Sequence, residues 1–428
     1  MEEIEDAVLE GDRTVARGTA RAALAYRDFR IIYFGAFASN IGTWMQNVVL
    51  GAYAYDLTHS STFVGIMIFA QLGPTLLLSM LGGLVADRVD RKRLLIIMAI
   101  EQLIFSFALA WIVHARSPSL ILMVLMVVMV GIGSALFAPA YSAAIPTMVR
   151  SEDLPGAISL NSAQMNLSRV IGPPIGAVAY HFAGPSWVFA GNAVSYLFVV
   201  AALALVAVPR VPLASGGRRN ALRDLVAGVA VARRDKVVGR CLVTVFLFSL
   251  LALAFLGQMP VVAARNLHID PNSTDYGILY ACFGIGAFLG AISIGTFFAH
   301  VSKPLIVRIG LVGYTMALVA FAELRSPTAA YVVVAVLGAF YFSFITALNT
   351  SLQIRLHDAV RGRVMALWIV SFGGTVGFGN LIVGPIIAAV GITNVLLFGA
   401  FVALLLAWYA DVKLGPGEES HLVGTELA

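Results

Sequence analysis

Residues 172–178 read Gly-Pro-Pro-Ile-Gly-Ala-Val, and residues 384–390, 212 positions later, read Gly-Pro-Ile-Ile-Ala-Ala-Val. Three further pairs keep this displacement: Gly65-Ile66 with Gly277-Ile278, Gly83 with Gly295, and Arg91 with Lys303. One displacement without a gap over more than 100 residues is hard to obtain by chance, although apolar sequences align easily. The repeat therefore predicts two homologous halves.

The composition excludes a water-soluble protein. Of the 428 residues, 60% are hydrophobic and 12% are charged, whereas a soluble chain has about 25% charged residues. A transmembrane helix needs about 20 apolar residues, so the chain has room for twelve helices and short loops. We place spans 1 to 12 at 29–55, 62–85, 94–114, 119–145, 157–182, 187–208, 241–264, 274–298, 304–323, 328–352, 364–389 and 391–410.

The distribution of Lys and Arg predicts the orientation, because positive residues near the ends of spans stay on the cytoplasmic side. The two tails and the loops after even-numbered spans hold 22 of the 28 Lys and Arg, the opposite loops hold three, and three lie within spans. We therefore expect a multi-pass protein of the cell (inner) membrane with both termini cytoplasmic. This orientation accounts for the net charge of +5, which indicates no nucleic-acid partner.

Each half has six spans, an even number, so both halves share one membrane orientation. The predicted fold is an all-α membrane protein of twelve transmembrane helices in two pseudo-symmetric six-helix bundles, an arrangement that places a substrate site near the bilayer midplane between the halves. The expected divisions are a cytoplasmic N-tail at 1–28, an N-terminal bundle at 29–208, a cytoplasmic linker at 209–240, a C-terminal bundle at 241–410 and a cytoplasmic C-tail at 411–428.

The loop after span 2 carries the charged run Gly83-Leu84-Val85-Ala86-Asp87-Arg88-Val89-Asp90-Arg91-Lys92-Arg93. It resembles the signature between the second and third helices of the major facilitator superfamily, Gly-x-x-x-Asp-Arg-x-Gly-Arg-Lys, except that Asp90 stands where the family has glycine. The resemblance implies a conformational switch built from Gly83, Asp87, Arg88, Arg91 and Lys92. The alternative is that the basic residues only anchor the inner side of the protein.

The Gly-Pro-Pro-Ile-Gly run of span 5 resembles the Gly-Pro-x-x-Gly signature of exporting members of that superfamily. Gly172 and Gly176 flank Pro173 as a G-x-x-x-G pair, and Gly286 and Gly290 form another in span 8. Small residues at this spacing let helices approach closely. The resemblance implies that spans 5 and 8 form a seam between the bundles that seals the outer side. Generic enrichment of Gly and Pro in membrane helices is the alternative.

Longer segments resemble one branch of the superfamily, the transmembrane secretion effectors, which include enterobactin exporters and macrolide efflux proteins. These segments are 37–59, 82–95, 137–177 and 361–367, and the similarity runs through roughly residues 25 to 410. The resemblance implies export of small organic molecules driven by proton entry, and it names no substrate.

Polar side chains on a spanning helix tend to face an interior or an aqueous path. In the first half, the candidates for the substrate cavity are Asn40, Trp44 and Asn47 in span 1, and Asn161 and Gln164 in span 5. In the second half they are Gln258 in span 7, Tyr341 and Phe344 in span 10, and Trp368 and Phe372 in span 11. An amide wall opposite an aromatic wall suits an amphiphilic or aromatic substrate. Packing inside a bundle or against lipid is the alternative for each aromatic residue.

Two charged residues inside spans are candidates for coupling. Glu101 lies about 10 Å inside span 3, and Arg169 lies near mid-depth of span 5. A charge at such depth costs about 2.5 to 3.5 kcal/mol, so each should have a partner or an aqueous contact. Glu101 either carries a proton or pairs with a cytoplasmic arginine, and Arg169 either holds the polar interior together or attracts an anionic substrate.

The sequence contains no Gly-x-Ser-x-Gly elbow and no phosphate loop, and its seven histidines are scattered. We therefore expect no enzyme, no cofactor and no metal site. The expected function is a monomeric secondary exporter in the lipid bilayer, of the multidrug-resistance or siderophore type, with a small-molecule substrate and protons as the coupling ion. A lipid or lysolipid carrier, an importer of the same fold, and a receptor without transport are the alternatives.

Overall fold

The computed structural model describes residues 17–88, 90–115, 117–206, 221–298 and 300–410, in which it contains helices and no strand. Spans 1 to 6 are the helices Arg27–Thr58, Ser61–Arg88, Arg91–His114, Leu120–Ala144, Leu154–Ala183 and Pro185–Leu205. Span 7 consists of Lys236–Leu247, a π-helical turn at Phe248–Ala252, Ala254–Gly257 and Met259–Arg265. Spans 8, 9, 10 and 12 are Thr274–Gly295, Lys303–Glu323, Pro327–Arg355 and Ile392–Tyr409. Span 11 consists of Asp358–Ile369, a π-helical turn at Val370–Gly374 and Thr375–Val390.

Nine of the described helices are long and apolar enough to cross a membrane by length and composition. Spans 1, 2 and 5 are outside that set. Span 2 contributes the shorter apolar stretch Ser61–Leu76, and spans 1 and 5 carry several amide side chains. The predicted fold is confirmed: this is an all-α membrane protein of twelve spans in two six-helix bundles. Most of the predicted N-tail, residues 207–220 of the linker region and the predicted C-tail lie outside the described residues.

The duplication is visible in the backbone as well as in the sequence. Span 1 ends at His59 with φ +51°, and the segment after span 7 has φ +54° at His268. Spans 5 and 11 both end at a glycine of positive φ, Gly184 at +87° and Gly391 at +85°. Positive φ is uncommon for residues other than glycine. Its recurrence at matching helix ends supports a common origin of the two halves.

The bundles meet along spans 2 and 11 on one side and spans 5 and 8 on the other. We name the two ends of each span inner and outer by the charge-based orientation, so that Arg27 is inner and Thr58 is outer. At the outer end of span 2, Ser61 Oγ donates to the carbonyl oxygen of Gly384 at 2.8 Å. Arg265 Nε of span 7 donates to the hydroxyl of Tyr55 at 3.3 Å. These contacts join the two bundles on the outer side.

A helix at Ala221–Arg234 connects the halves on the inner side. Its Gly228 packs against the inner end of span 11, since a Cβ there would lie 3.0 Å from the carbonyl oxygen of Arg363. At the start of span 7, Asp235 accepts from the backbone N–H groups of Val237 and Val238, which caps the helix. The linker is thereby attached to the C-terminal bundle.

Candidate functional site

Arg169 lies where the two bundles meet. Its guanidinium carbon is 4.8 Å from the ring centroid of Trp44 in span 1 and 4.8 Å from that of Phe342 in span 10. Both distances are within the range of a cation–π contact. Nε of Arg169 is buried and has no hydrogen-bond partner among the described residues. One cation of the N-terminal bundle is therefore held between one ring from each half.

The amide candidates of span 1 fall into an accessible and a buried set. Asn40 and Asn47 are partly exposed, as is Trp44, and Gln71 of span 2 donates to Asn47 Oδ1. The neighbouring Gln46 is buried and accepts from Asn192 Nδ2 at 2.8 Å. Asn40, Trp44 and Asn47 are thus partly exposed while Gln46 is buried, and their place in the substrate cavity stays a prediction.

In span 5 the two predicted residues, Asn161 and Gln164, are hydrogen-bonded to each other. Gln164 Nε2 donates to Asn161 Oδ1 at 2.8 Å and lies 3.3 Å from the hydroxyl of Tyr141 in span 4. Gln164 is buried and Asn161 is partly exposed. Gln164 therefore joins spans 4 and 5, and Asn161 is the member of the pair that faces accessible space.

The aromatic candidates of span 10 do not line an accessible wall. Phe344 is fully buried and Tyr341 is 3% exposed. Their rings pack with Phe248 of span 7, at centroid distances of 4.6 Å for Phe344 and 5.8 Å for Tyr341. Because they fill the core of the C-terminal bundle, the sequence-based assignment of these two residues to the cavity is wrong for this conformation. The ring that reaches Arg169 is Phe342, which the sequence reasoning did not single out.

The remaining C-terminal candidates are also largely buried. Gln258 is fully buried, and its Nε2 donates to the carbonyl oxygen of Ser61 in the other bundle at 3.3 Å. Gln258 therefore joins the two bundles on the outer side. Trp368 is 4% exposed and stacks on Phe372, with 6.4 Å between ring centroids. Phe372 is partly exposed and is the member of this pair that remains accessible.

The glycine pairs bring helices together inside each bundle and do not form the seam between bundles. A Cβ at Gly172 would lie 2.6 Å from Trp44 Cβ, and one at Gly176 would lie 2.9 Å from Met45 Cα, both in span 1. Cβ atoms at Gly286 and Gly290 would meet the backbone of span 10, at the carbonyl oxygens of Ala335 and Ala339. The expectation that these glycines seal spans 5 and 8 against each other is corrected by this geometry. Pro173 is buried in span 5 between the two glycines.

Spans 5 and 8 do pack against each other, through different residues. A Cβ at Gly277 would lie 2.3 Å from Ala177 Cβ, and one at Gly284 would lie 3.2 Å from Val170 Cα. On each helix these positions are seven residues apart, which is two turns and one face. Gly172 and Gly176 lie on a different face of span 5. Sequence reasoning found the right pair of helices and the wrong face.

Glu101 is partly exposed, but its carboxyl oxygens are buried. Neither of its carboxyl oxygens has a hydrogen-bond partner among the described residues. A Cβ at Gly133 of span 4 would lie 1.9 Å from Glu101 Oε2, so this glycine makes room for the carboxyl group. The expected pairing with a cytoplasmic arginine is absent from the described part of the chain. Its neighbour Gln102 accepts from Ser134 Oγ at 2.8 Å, which joins spans 3 and 4.

Residues 18–425 match the model of a family described as transmembrane secretion effectors. The chain belongs to this family. Among curated relatives, the enterobactin exporter EntS of Salmonella choleraesuis (strain SC-B67) is 26% identical over 350 residues, covering 79% of this chain and 81% of that protein. EntS of Shigella boydii serotype 4 (strain Sb227) is 26% identical over 351 residues, covering 79% and 80%.

Solved structures of transporters share the fold. The nucleoside transporter NupG superposes with a TM-score of 0.71 at 14% identity, covering 90% of this chain and 99% of that one. A bacterial homologue of the lysosomal transporter Spinster, in an inward-facing and unoccupied conformation, gives 0.64 at 14% identity, covering 90% and 95%. The family match makes this transmembrane secretion effector a membrane transporter of the major facilitator type, and the solved structures show that it shares their fold.

The described part of the family's charged signature binds helix ends. Arg91 Nη1 donates to the carbonyl oxygen of Ala143 in the last turn of span 4, at 3.1 Å. Lys92 Nζ donates to the carbonyl oxygen of Val206, the C-cap of span 6, at 2.6 Å. Cations are favoured at helix C-termini, where carbonyl groups lack partners. The surroundings of Gly83 and the side chains of Asp87 and Arg88 lie outside the described part of the chain.

Proposed function

We propose that this protein is a secondary active transporter that exports small amphiphilic organic molecules, drug or siderophore-like, as a proton antiporter working by alternating access. It acts as a monomer in the inner membrane with both termini cytoplasmic. The observation that carries the proposal is the junction of the bundles, where the outer contacts of spans 2, 5, 8 and 11 are closed above Arg169 and its two rings. The EntS relatives are enterobactin exporters, and their direction of transport agrees with this proposal.

Glu101 is the proposed proton carrier. An ionised carboxylate buried without a hydrogen bond is costly in a low-dielectric interior, and both oxygens of Glu101 are in that situation. A carboxyl group that takes up a proton in one conformation and releases it in the other avoids this cost for part of the cycle. Rocking of the N-terminal bundle is the movement that would change its exposure.

The charged signature is the proposed switch. Arg91 and Lys92 hold the inner ends of spans 4 and 6, so they fix the N-terminal bundle at the side that must open and close. Gly83, Asp87 and Arg88 complete the switch in this proposal. Replacement of Asp87 by Asn is expected to slow transport at normal protein abundance, and an unchanged rate would remove Asp87 from the switch.

The test of the function is a proton-flux screen. Proteoliposomes are loaded with a pH-sensitive dye, a proton gradient is imposed, and lipophilic cations, macrolides and catechol siderophores are added in turn. Substrate-dependent proton movement with at least one class is expected. No movement with any class, from protein shown to be folded by a thermal unfolding transition, would contradict proton antiport. Translocation of a labelled lysolipid by the same proteoliposomes would then favour the lipid carrier.

A further inference from the structure

Arg169 is a cation whose charge is not balanced by any of the described residues. No carboxylate among the described residues forms an ion pair with it, and the carboxyl oxygens of Glu101 also have no hydrogen-bond partner among those residues. A cation inside a membrane protein normally pairs with another group or reaches water. Within the described part of the chain, the positive charge of Arg169 therefore has no counter-charge at the junction of the two bundles.

The environment of this guanidinium selects what can approach it. The rings of Trp44 and Phe342 lie against it at 4.8 Å, and a ring face attracts the cation without accepting its in-plane N–H bonds. A guanidinium has five N–H donors in a planar fork that matches the two oxygens of a carboxylate. Arg169 is partly exposed while its Nε is buried without a partner, so the terminal nitrogens are the donors left to reach accessible space.

The packing of span 5 fixes this arrangement. Gly172, one turn after Arg169, brings span 5 so close to span 1 that a Cβ there would lie 2.6 Å from Trp44 Cβ. On the other side, Val170 packs against Gly284 of span 8. Arg169 thus sits between two close helix contacts, one within its own bundle and one across to the other bundle. A ligand that binds its terminal nitrogens contacts both halves of the protein at once.

We infer that the substrate is an organic anion with an aromatic body, whose carboxylate or other paired oxygens bind the terminal nitrogens of Arg169 while its ring packs beside Trp44 and Phe342. This inference deepens the proposed function and rests on it, because it names the chemical class carried by the same site. An amphiphilic cation would meet like charge at Arg169. A neutral aromatic molecule would leave the guanidinium unpaired, so the site should prefer the anion to both.

The test is a binding measurement on the purified full-length protein, which does not depend on transport. Binding of tritiated 2-naphthoate is measured by a scintillation proximity assay. Unlabelled 2-naphthoate, 2-naphthamide and 2-naphthylmethyl-trimethylammonium are added as competitors for the same site. These three probes share one ring system and differ in charge. We expect the anion to compete at least tenfold better than the amide, and the cation to compete least.

Substitutions assign that preference to one residue. Arg169→Gln should lower naphthoate affinity at least tenfold and remove the preference for the anion, and Arg169→Lys should retain part of it, because the charge remains and the planar fork is lost. Arg308→Gln, which removes an arginine from span 9, is the matched control and should keep the preference. Trp44→Leu should weaken binding of the aromatic anion but keep the order in which the three probes bind. This variant can still be measured if the Arg169 variants fail to fold.

The outcomes separate the inference from the proposed function. Equal competition by amide and anion, or an anion preference that survives in Arg169→Gln, would overturn the inference even if the proton-flux screen succeeds. Naphthoate binding that is lost in Arg169→Gln supports the inference even if no proton flux is found, in which case only the antiport proposal fails.

Discussion

The two bundles share a topology and differ in what fills them. In the N-terminal bundle, amide side chains form hydrogen bonds with polar side chains of neighbouring helices. These pairs are Gln46 with Asn192, Gln71 with Asn47, and Gln102 with Ser134. In the C-terminal bundle, the corresponding interior is a cluster of rings in which Phe248 lies 4.9 Å from Tyr314 and 4.6 Å from Phe344. Duplication therefore preserved the helical framework while the interiors diverged.

The difference suggests a division of labour. Among the described residues, the two charged side chains with buried polar atoms that lack a hydrogen-bond partner are Glu101 and Arg169, and both belong to the N-terminal bundle. Among the described residues, both π-helical turns lie in the C-terminal bundle, at Phe248–Ala252 and Val370–Gly374, and such turns are frequent at functional sites. We expect the N-terminal bundle to supply the charge chemistry, and the C-terminal bundle to supply a rigid aromatic core with two irregular helices at the junction.

The largest expected effect comes from joining the bundles covalently, which tests whether they move as two units. Val170→Cys with Gly284→Cys, on a Cys241→Ser, Cys282→Ser background, places sulfurs on facing helices, because a Cβ at Gly284 would lie 3.2 Å from Val170 Cα. This approach is compatible with the roughly 3.8 Å Cβ separation of a disulfide. Oxidation should stop transport completely, and reduction should restore it.

The measurement is proton flux before and after a mild oxidant, with the cross-link read as a mobility shift after proteolysis between the halves. The control is each single cysteine variant, which should transport equally well with and without oxidant. Full transport by cross-linked protein would mean that spans 5 and 8 stay together throughout the cycle. That result would contradict the idea that the two bundles move as separate units.

The next effect tests whether coupling belongs to the N-terminal bundle. Glu101→Gln keeps the shape of the side chain and removes its ability to exchange a proton. We expect at least a tenfold loss of transport driven by a pH gradient in inverted vesicles. Glu323→Gln, at the exposed outer end of span 9, is the matched control and should keep wild-type rates. An unchanged response to pH in Glu101→Gln would remove this residue from coupling.

The framework of this fold could be predicted because apolar runs, loop charges and the repeat at a displacement of 212 residues can each be read directly from the sequence. Span 5 was expected at 157–182 and is found at Leu154–Ala183, since helices extend past the apolar core into the interfaces. The shared face of Asn40, Trp44 and Asn47 follows from their helical spacing, and its place in the cavity stays a prediction.

The interior faces of the apolar helices could not be predicted. In span 10, Tyr341 and Phe342 are adjacent in sequence, so their side chains point about 100° apart around the helix. As a result, the ring of Tyr341 lies in the bundle core and that of Phe342 lies against Arg169. Lipid and a packed interior are both apolar, so neither side of such a helix is marked by composition. The same ambiguity concealed which face of span 5 meets span 8.

A smaller effect separates the aromatic core from the cavity. Phe344 is fully buried, so Phe344→Ala should leave a cavity and lower the free energy of unfolding by about 3 to 5 kcal/mol, while the order in which probes bind stays the same. Trp44→Ala, at a partly exposed ring, should weaken probe binding with a smaller loss of stability. Thermal unfolding in detergent and probe competition measure the two effects. A changed probe order in Phe344→Ala at unchanged stability would return this residue to the cavity.

The smallest effect concerns the inner ends of the bundles, where the halves use different polar contacts. In the C-terminal bundle, Arg355 Nε binds Asp235 Oδ2 at 2.5 Å. In the N-terminal bundle, the hydroxyl of Tyr26 donates to Asp153 Oδ2 at 2.8 Å, and the backbone N–H of Gly18 donates to Asp153 Oδ1 at 2.8 Å. Since a hydrogen bond to a charged group contributes about 1.5 to 3 kcal/mol, and this one is partly exposed, Tyr26→Phe should cost about 1 to 2 kcal/mol.

This cost should depend on pH in a defined direction. Burial, and then the hydrogen bond and negative charge of Asp153, raise the pKa of Tyr26 above its ordinary value of 10.0. Because the folded protein holds this proton more tightly than the unfolded chain, the contribution of Tyr26 is complete below pH 10 and is lost as the pH rises through the folded-state pKa. The stability gap between wild type and Tyr26→Phe should therefore narrow above pH 10 in thermal unfolding. Tyr409→Phe, which removes a hydroxyl at the inner end of span 12, is the matched control. A gap between wild type and Tyr26→Phe that stays constant on both sides of pH 10 would show that the hydroxyl does not hold Asp153 in solution.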